Sequence, residues 1–280
     1  ITPVIGVKDT TQLNLIDLEG NILQADSRDC SWTPNQIAKL SEKELKVKTY
    51  KINLEQCIDD LERKRTVWML SPGAKNQELP ATLEEATMTI LASELSSEIE
   101  TKIFKGDSSA DANDFDGAVK VLTDSTQAIK LTGVSLTKAN VLAEVEKVFA
   151  SIPEDVMAMG LENGSLNIYV SYSAYMKVKM ALGGIWGDNV VVSPNFAVEG
   201  DSVRYMGVEI VPVKGLEDND MIAADSKNFL VGTDLVRDLE EIRLGQFAAP
   251  NDNKIFIDGR LRLGFAIPFE DEVVFYSPSN

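Results

Sequence analysis

TLEEATMTILASELSSEIETKIFK, from Thr82 to Lys105, decides the architecture. It follows Pro80 and opens on Thr82-Leu-Glu-Glu85, a capping box in which the Thr oxygen accepts an early helix amide and Glu85 reaches back. Apolar residues recur at Leu83, Ala86, Ile90, Leu91, Leu95, Ile99 and Ile103. That spacing draws one continuous stripe along a helix. Gly106 follows and predicts a left-handed stop. At roughly 1.5 Å per residue the helix is a rod about 36 Å long, which suits a spine better than a packed globular element.

Upstream of the rod, Ile1 to Glu19 mixes β-branched and polar residues without a helical stripe, and Gly20 to Pro34 is turn-like. These first forty residues predict an extended arm. From Leu45 to Leu54 the chain alternates with one change of phase, which predicts a long strand with a bulge or bend. A short helix is expected from Cys57 to about Arg65, its Lys/Arg end suiting a helix C-terminus.

Downstream, GDSSADANDFDG (106 to 117) is an acidic loop. Thr137 to Ser151 predicts a second helix, with Val141, Leu142, Val145, Val148, Phe149 and Ile152 inward and Pro153 ending it. Asn163-Gly164 marks a turn, and Ser165 to Val170 alternates as a strand. Ser171 or Ser173 caps a third helix that ends at Gly183-Gly184. Tyr205 to Val213, Met221 to Leu235, Lys254 to Ile257, Arg260 to Ile267 and Val273 to Tyr276 predict strands. The order is α+β. The C-terminal strands are expected to pair with early strands beside the rod, making the middle block an insertion between two halves of a peripheral region.

Composition narrows the chemistry. The chain has 280 residues and no histidine. It therefore lacks the usual general base and the commonest transition-metal ligand. Its two cysteines, Cys30 and Cys57, are too few for a zinc site or a disulfide framework and accord with a reducing cytoplasm. The formal net charge of −17 repels phosphate backbones, so the chain would tolerate nucleic acid without gripping it. No apolar run is long enough for a membrane span, so no membrane is expected among its partners. The opening Ile-Thr-Pro-Val-Ile-Gly-Val-Lys (1 to 8) has no signal-peptide pattern. Its lack of Met accords with an upstream segment left out of the sequence or removed from a longer precursor.

An ordered series of segments resembles the major capsid proteins of tailed phages, which have the Hong Kong 97-type capsid fold. Glu-Leu-Pro-Ala-Thr-Leu-Glu-Glu (78 to 85), leading to Phe-Lys-Gly-Asp (104 to 107), resembles that family's spine helix and its exit. Asn-Asp-Phe-Asp-Gly-Ala (113 to 118) resembles the entry to its axial domain, and Leu-Asn-Ile-Tyr-Val-Ser-Tyr-Ser-Ala-Tyr (166 to 175) its strand-then-helix step. Tyr-Met-Gly-Val-Glu-Ile-Val-Pro-Val (205 to 213), Met-Ile-Ala-Ala-Asp (221 to 225) and Asn-Phe-Leu-Val-Gly-Thr-Asp-Leu (228 to 235) resemble the axial return strands. Leu-Arg-Leu-Gly-Phe-Ala-Ile-Pro (261 to 268) resembles the closing peripheral strand.

The resemblance implies five regions. They are an N-terminal arm (1–19), an extended loop and leading strand (20–56), a peripheral domain with its spine helix at 82–105 (57–126), an axial domain (127–230) and closing peripheral strands (231–280). It implies a non-enzymatic shell protein whose pentamers and hexamers enclose the double-stranded DNA of a tailed bacteriophage. Its partners would be copies of itself, a portal, and decoration or scaffold proteins, with weak contact to packaged DNA. It would be made in the bacterial host cytoplasm and reside in the virion capsid. The alternatives are an encapsulin-like compartment, distinguished by cargo protein in place of DNA and portal, and a carboxylate-dependent hydrolase, distinguished by small oligomers in solution.

Individual residues yield no catalytic, cofactor-binding or metal site. Tyr175-Met-Lys-Val-Lys179 matches a dehydrogenase pattern, but the partner Gly-rich loop is absent. Asp107, Asp111, Asn113, Asp114 and Asp116 miss the spacing of a calcium loop, because Phe115 sits where a ligand belongs. Glu217-Asp-Asn-Asp220 is equally plain. Lys39, Lys43 and Lys46, with Asn251 and Asn253, do not align with the lysine and asparagine that some family members cross-link. Trp32, in the turn-rich Cys-Ser-Trp-Thr-Pro, is the candidate inter-subunit contact: it has little local core to join and suits a neighbour's pocket, the alternative being packing on its own subunit.

Overall fold

The computed structural model describes residues 1–18, 38–57, 81–183, 195–199, 202–234, 243–246 and 254–278. The strands are β1 (Thr2–Ile5), β2 (Thr10–Leu18), β3 (Ala38–Lys46), β4 (Lys48–Cys57), β5 (Ile129–Thr132), β6 (Leu166–Ser171) and β7 (Phe196–Glu199). There follow β8 (Ser202–Tyr205), β9 (Val208–Val213), β10 (Met221–Asp225), β11 (Leu230–Thr233), β12 (Arg243–Gln246), β13 (Lys254–Ala266) and β14 (Val274–Ser277). The helices are α1 (Ala81–Lys105), α2 (Ala118–Asp124), α3 (Val141–Ala150), α4 (Glu154–Asn163) and α5 (Tyr172–Gly183).

A seven-stranded mixed sheet, in the order β5-β14-β10-β6-β9-β8-β7, forms the middle layer. Because successive side chains on a strand point to opposite faces, its central strands feed two cores at once. Ile168 and Val170 of β6, Met221 and Ala223 of β10, and Val274 and Tyr276 of β14 pack under α3 and α5. Tyr169, Ile222, Ala224 and Phe275 face the other way, onto Phe104 of α1, Leu122 of α2 and Phe265 of β13. Phe229 centres this second core: it stacks on Tyr169 at 5.3 Å and meets Phe265 edge-on at 5.6 Å. The turn between β9 and β10 fastens the sheet to the rod, since the Lys214 amide donates to Glu100 at 3.1 Å and its ammonium to Ser97 at 2.6 Å.

A second sheet is built on β13, whose Lys254–Leu263 stretch pairs antiparallel with β4. Its end continues to β11, and β1 closes that edge in parallel to β11, from Thr2↔Leu230 to Ile5↔Thr233. The C-terminal strands thus divide. β13 pairs with the early strand β4, as expected, whereas β14 lies inside the other sheet between β5 and β10.

Several local expectations change. The strand anticipated over Met221–Leu235 is broken, because the Asp225 carboxylate accepts the Lys227 amide at 2.8 Å and turns Ser226–Asn228 into a 3-10 turn. The break carries the chain from one sheet to the other. The second helix begins at Val141, not Thr137, because Asn140 Oδ1 takes the Thr137 amide at 2.7 Å and holds a turn before it. Pro153 starts a helix as well as stopping one: α4 was not anticipated, yet it has Glu154 and Asp155 in its first turn and ends on Gly164 at φ 63°. The single long strand expected over Leu45–Leu54 is instead divided at Val47, ahead of the change of phase after Thr49, into β3 of the ribbon and β4 of the β13 ladder. α5 starts as expected, with the Ser171 hydroxyl accepting the Ala174 amide at 3.0 Å. The helix expected from Cys57 to Arg65 lies outside the described residues beyond Cys57.

Candidate assembly surfaces

β2 and β3 form a two-stranded ribbon in unbroken register from Thr10↔Lys46 to Leu18↔Ala38. Nine paired residues at about 3.4 Å each give a reach of about 30 Å. The ribbon's base is tightly seated. Val7, Leu45, Val47 and Ala266 form their own small core. Gly264 admits the ribbon backbone, since a Cβ there would lie 2.1 Å from the Lys46 carbonyl oxygen. The Lys43 ammonium donates to Glu270, which also accepts the Ser125 hydroxyl. These groups line a groove of about 630 Å³ between the ribbon base and α2. Toward the far end the environment reverses: Ile16 and Leu40 face each other across the strands and are 66% and 75% exposed.

The rod shows a similar asymmetry. Leu95, Ile103 and Phe104 are buried in the second core, whereas Ile90 is 65% exposed. The expected stripe is therefore used unevenly, and the side chains of residues 81–88, including the capping box, lie outside the described ones. Gly106 does not take the anticipated left-handed conformation. Its carbonyl accepts the Gly117 amide at 2.8 Å, and a Cβ on Gly106 would come within 2.4 Å of the Phe115 oxygen. Two backbones close the acidic loop like a clasp, and only glycine leaves room.

Within that loop the carboxylates are internally occupied. Asp107 accepts from Ser109, Asp111 from Asn113 and Asp116 from Ser108, at 2.8 to 2.9 Å. Asp114 is the hub: it pairs with Lys102 of the rod at 2.7 Å and accepts the Tyr50 hydroxyl from β4. Burial pushes the Asp114 carboxyl up, but the Lys102 and Tyr50 hydrogen bonds and the Lys102 charge outweigh it and hold the group below its ordinary value. Burial, reinforced by Asp114, raises the Tyr50 phenol. Phe115, beside the hub, is buried and meets the Tyr50 ring edge-on at 6.2 Å. The loop thus locks spine, leading strand and α2 together. No cluster of three or more His, Cys, Asp or Glu side chains that would hold a metal occurs among the described residues.

The remaining sequence candidates are dispersed. Tyr175 is buried under α5, with the Lys179 ammonium 4.9 Å from its ring centre. Lys46 pairs with Glu44 at 3.0 Å. Trp32, Cys30, Asn251 and Asn253 lie outside the described residues, as do the side chains of Lys39 and Cys57. The Glu217 carboxylate pairs with Lys105 at 2.5 Å, and Asp220 is buried, its carboxyl raised by burial. Sequence reasoning missed the Ile16–Leu40 pair, because only cross-strand register brings the two together. It also missed Glu270, which has no local signal. No helix among the described residues is long and apolar enough to cross a membrane.

A spine helix, an extended ribbon seated on β13, a sheet sandwiched between helices and spine, and a β13–β4 ladder together constitute the Hong Kong 97-type capsid fold. No protein-family model matches the sequence, and no curated protein matches it. Solved structures do. A satellite phage P4 procapsid chain superposes with a TM-score of 0.64 at 11% identity, over 99% of this chain and 84% of that one. A chain from the capsid of an empty GTA particle gives 0.61 at 8% identity, over 98% and 86%. One from the capsid of Cyanophage A-1(L) gives 0.56 at 11% identity, over 99% and 89%. At such identities the likeness is one of fold.

Proposed function

We propose that this chain is the major capsid protein of a tailed bacteriophage, a non-enzymatic subunit whose pentamers and hexamers tile into an icosahedral head around double-stranded DNA. The observation that carries it is the full-length likeness to capsid chains, with a subunit that seats the base of its ribbon in its own body and leaves the Ile16–Leu40 pair bare. A lone soluble molecule gains nothing from that exposure, whereas a tiled one covers it with a neighbour. The five regions inferred from sequence stand within this proposal as arm, extended loop, spine-bearing periphery, axial domain and closing strands.

The formal charge of −17 fits a container that must pack and later release DNA, with only weak contact to it. Portal, scaffold and decoration proteins are the further partners, and synthesis takes place in the bacterial host cytoplasm. Trp32 is proposed to anchor in a neighbouring subunit.

Expression of the chain followed by electron microscopy tests the proposal. Polyhedral shells or flat hexameric sheets are expected. A stable monomer at micromolar concentration would overturn it, and shells filled with cargo protein instead of DNA in the native source would favour a compartment. In the same assay Trp32→Ala is expected to weaken particles. Unchanged particle stability would remove the anchoring role.

A further inference from the structure

Two helices of the sheet's flank expose faces of opposite chemistry. On α5, Ala174, Tyr175, Val178 and Leu182 are buried, and the opposite face presents Tyr172, Met176 and Met180 at four-residue spacing, 50–52% exposed. Lys177 and Lys179 flank that ridge, and α5 contains no carboxylate. On α4, Val156 and Gly160 are buried, and the exposed face runs Glu154, Ala158, Glu162, with Asp155 beside it. Exposed Met159 and Leu161 border this acidic line, and α4 contains no base. The turn between β8 and β9 extends the patch: a Cβ on Gly207 would lie 3.6 Å from Leu161 Cδ2, and neighbouring Met206 is exposed. Among the described residues Glu154, Asp155, Glu162 and Lys177 form no ion pair.

We infer that the α5 face of one subunit docks on the α4 face of a second copy, head to tail around a ring. This inference rests on the capsid proposal and names its axial contact. Charge selects the pairing. α5 against α5 would set Lys177 against its own copy, and α4 against α4 would oppose carboxylates. Only α5 on α4 is complementary, and such a heterologous contact closes rings where a self-matching one stops at a dimer. Shape agrees, because the small Ala158 between Glu154 and Glu162 leaves a notch for a ridge of residues spaced by four. Methionine also suits the task. Its unbranched side chain repacks readily, so one face can serve slightly different angles in five- and six-membered rings.

Charge reversal tests this. Glu154 and Glu162 are exposed and Lys177 is half-buried, so for Lys177→Glu, and separately for Glu154→Lys with Glu162→Lys, circular dichroism melts should match the unaltered chain. Each altered chain is expected to lose rings by at least tenfold in native mass spectrometry and negative-stain images. Combining all the reversals in one chain should restore them. An equimolar mixture of the two altered chains should alternate around the ring and rescue hexamers but not pentamers. Altered chains that assemble normally, or a combined chain that fails to recover, would overturn the inference while leaving the capsid proposal intact. An unaltered chain that forms no rings would overturn both.

Discussion

Asp114 shows how one carboxylate joins distant parts of the chain. Lys102 approaches it from the spine and Tyr50 from the leading strand. Asp114→Asn keeps the shape but removes the charge that both partners use. Hydrogen bonds to charged groups are worth more than neutral ones, so a loss of about 1–3 kcal/mol is expected in urea unfolding of the subunit. Its pH dependence follows from the lowered folded-state value of the carboxyl. The contribution is present above the ordinary aspartate range and fades as pH falls through the folded value. Wild type and Asp114→Asn should therefore converge in stability below about pH 4. Tyr276 behaves in the opposite sense. Burial first, and then its bond to Glu144, push the phenol up to about 12, so its contribution is present below the unfolded value near 10 and is lost in strong alkali.

At the scale of elements, the ribbon divides into a seated base and an exposed far end. Leu45 at the ribbon base is fully buried, whereas Leu40, only five residues away, is 75% exposed. Ile16→Ser with Leu40→Ser should leave the melting temperature of the isolated subunit within about 2 °C, since exposed sites contribute little to stability. Assembly should fall instead, read as a raised critical concentration for particles by light scattering. A subunit that unfolds would show that the pair packs internally. The sequence announced β4 by alternation over Leu45–Leu54, but it left β2 within an extended arm and did not announce β3. It could not announce which face points outward, because one residue of register shift exchanges the faces.

For the whole molecule, the first strand ties the chain's opening to its far half through the parallel pairing of β1 with β11. Removing residues 1–7 exposes the β11 edge and takes Val7 from the small core at the ribbon base. Burying a side chain of that size is worth about 1.5–3 kcal/mol, so the truncated subunit should melt several degrees lower. Unchanged melting would mean that the segment contributes only after assembly.

The α+β order, the spine helix, the strand-helix step at Ser171 and the longer central strands were legible, because side-chain periodicity and caps are local properties of the chain, whereas the short strands β1, β5, β7 and β12 were not. The functions of single glycines and acids were not. Gly106 reads as a helix stop in sequence and proves to be a point of contact between two backbones. The acidic loop reads only as a run of carboxylates and proves to hold Asp114, which joins the spine to the leading strand. Pro153 reads as an ending and also begins α4. Local physics settles which segments form helices and strands, whereas contacts between residues far apart settle which faces are covered. Those bare faces, on which the proposed assembly rests, appear only once the chain has folded back on itself.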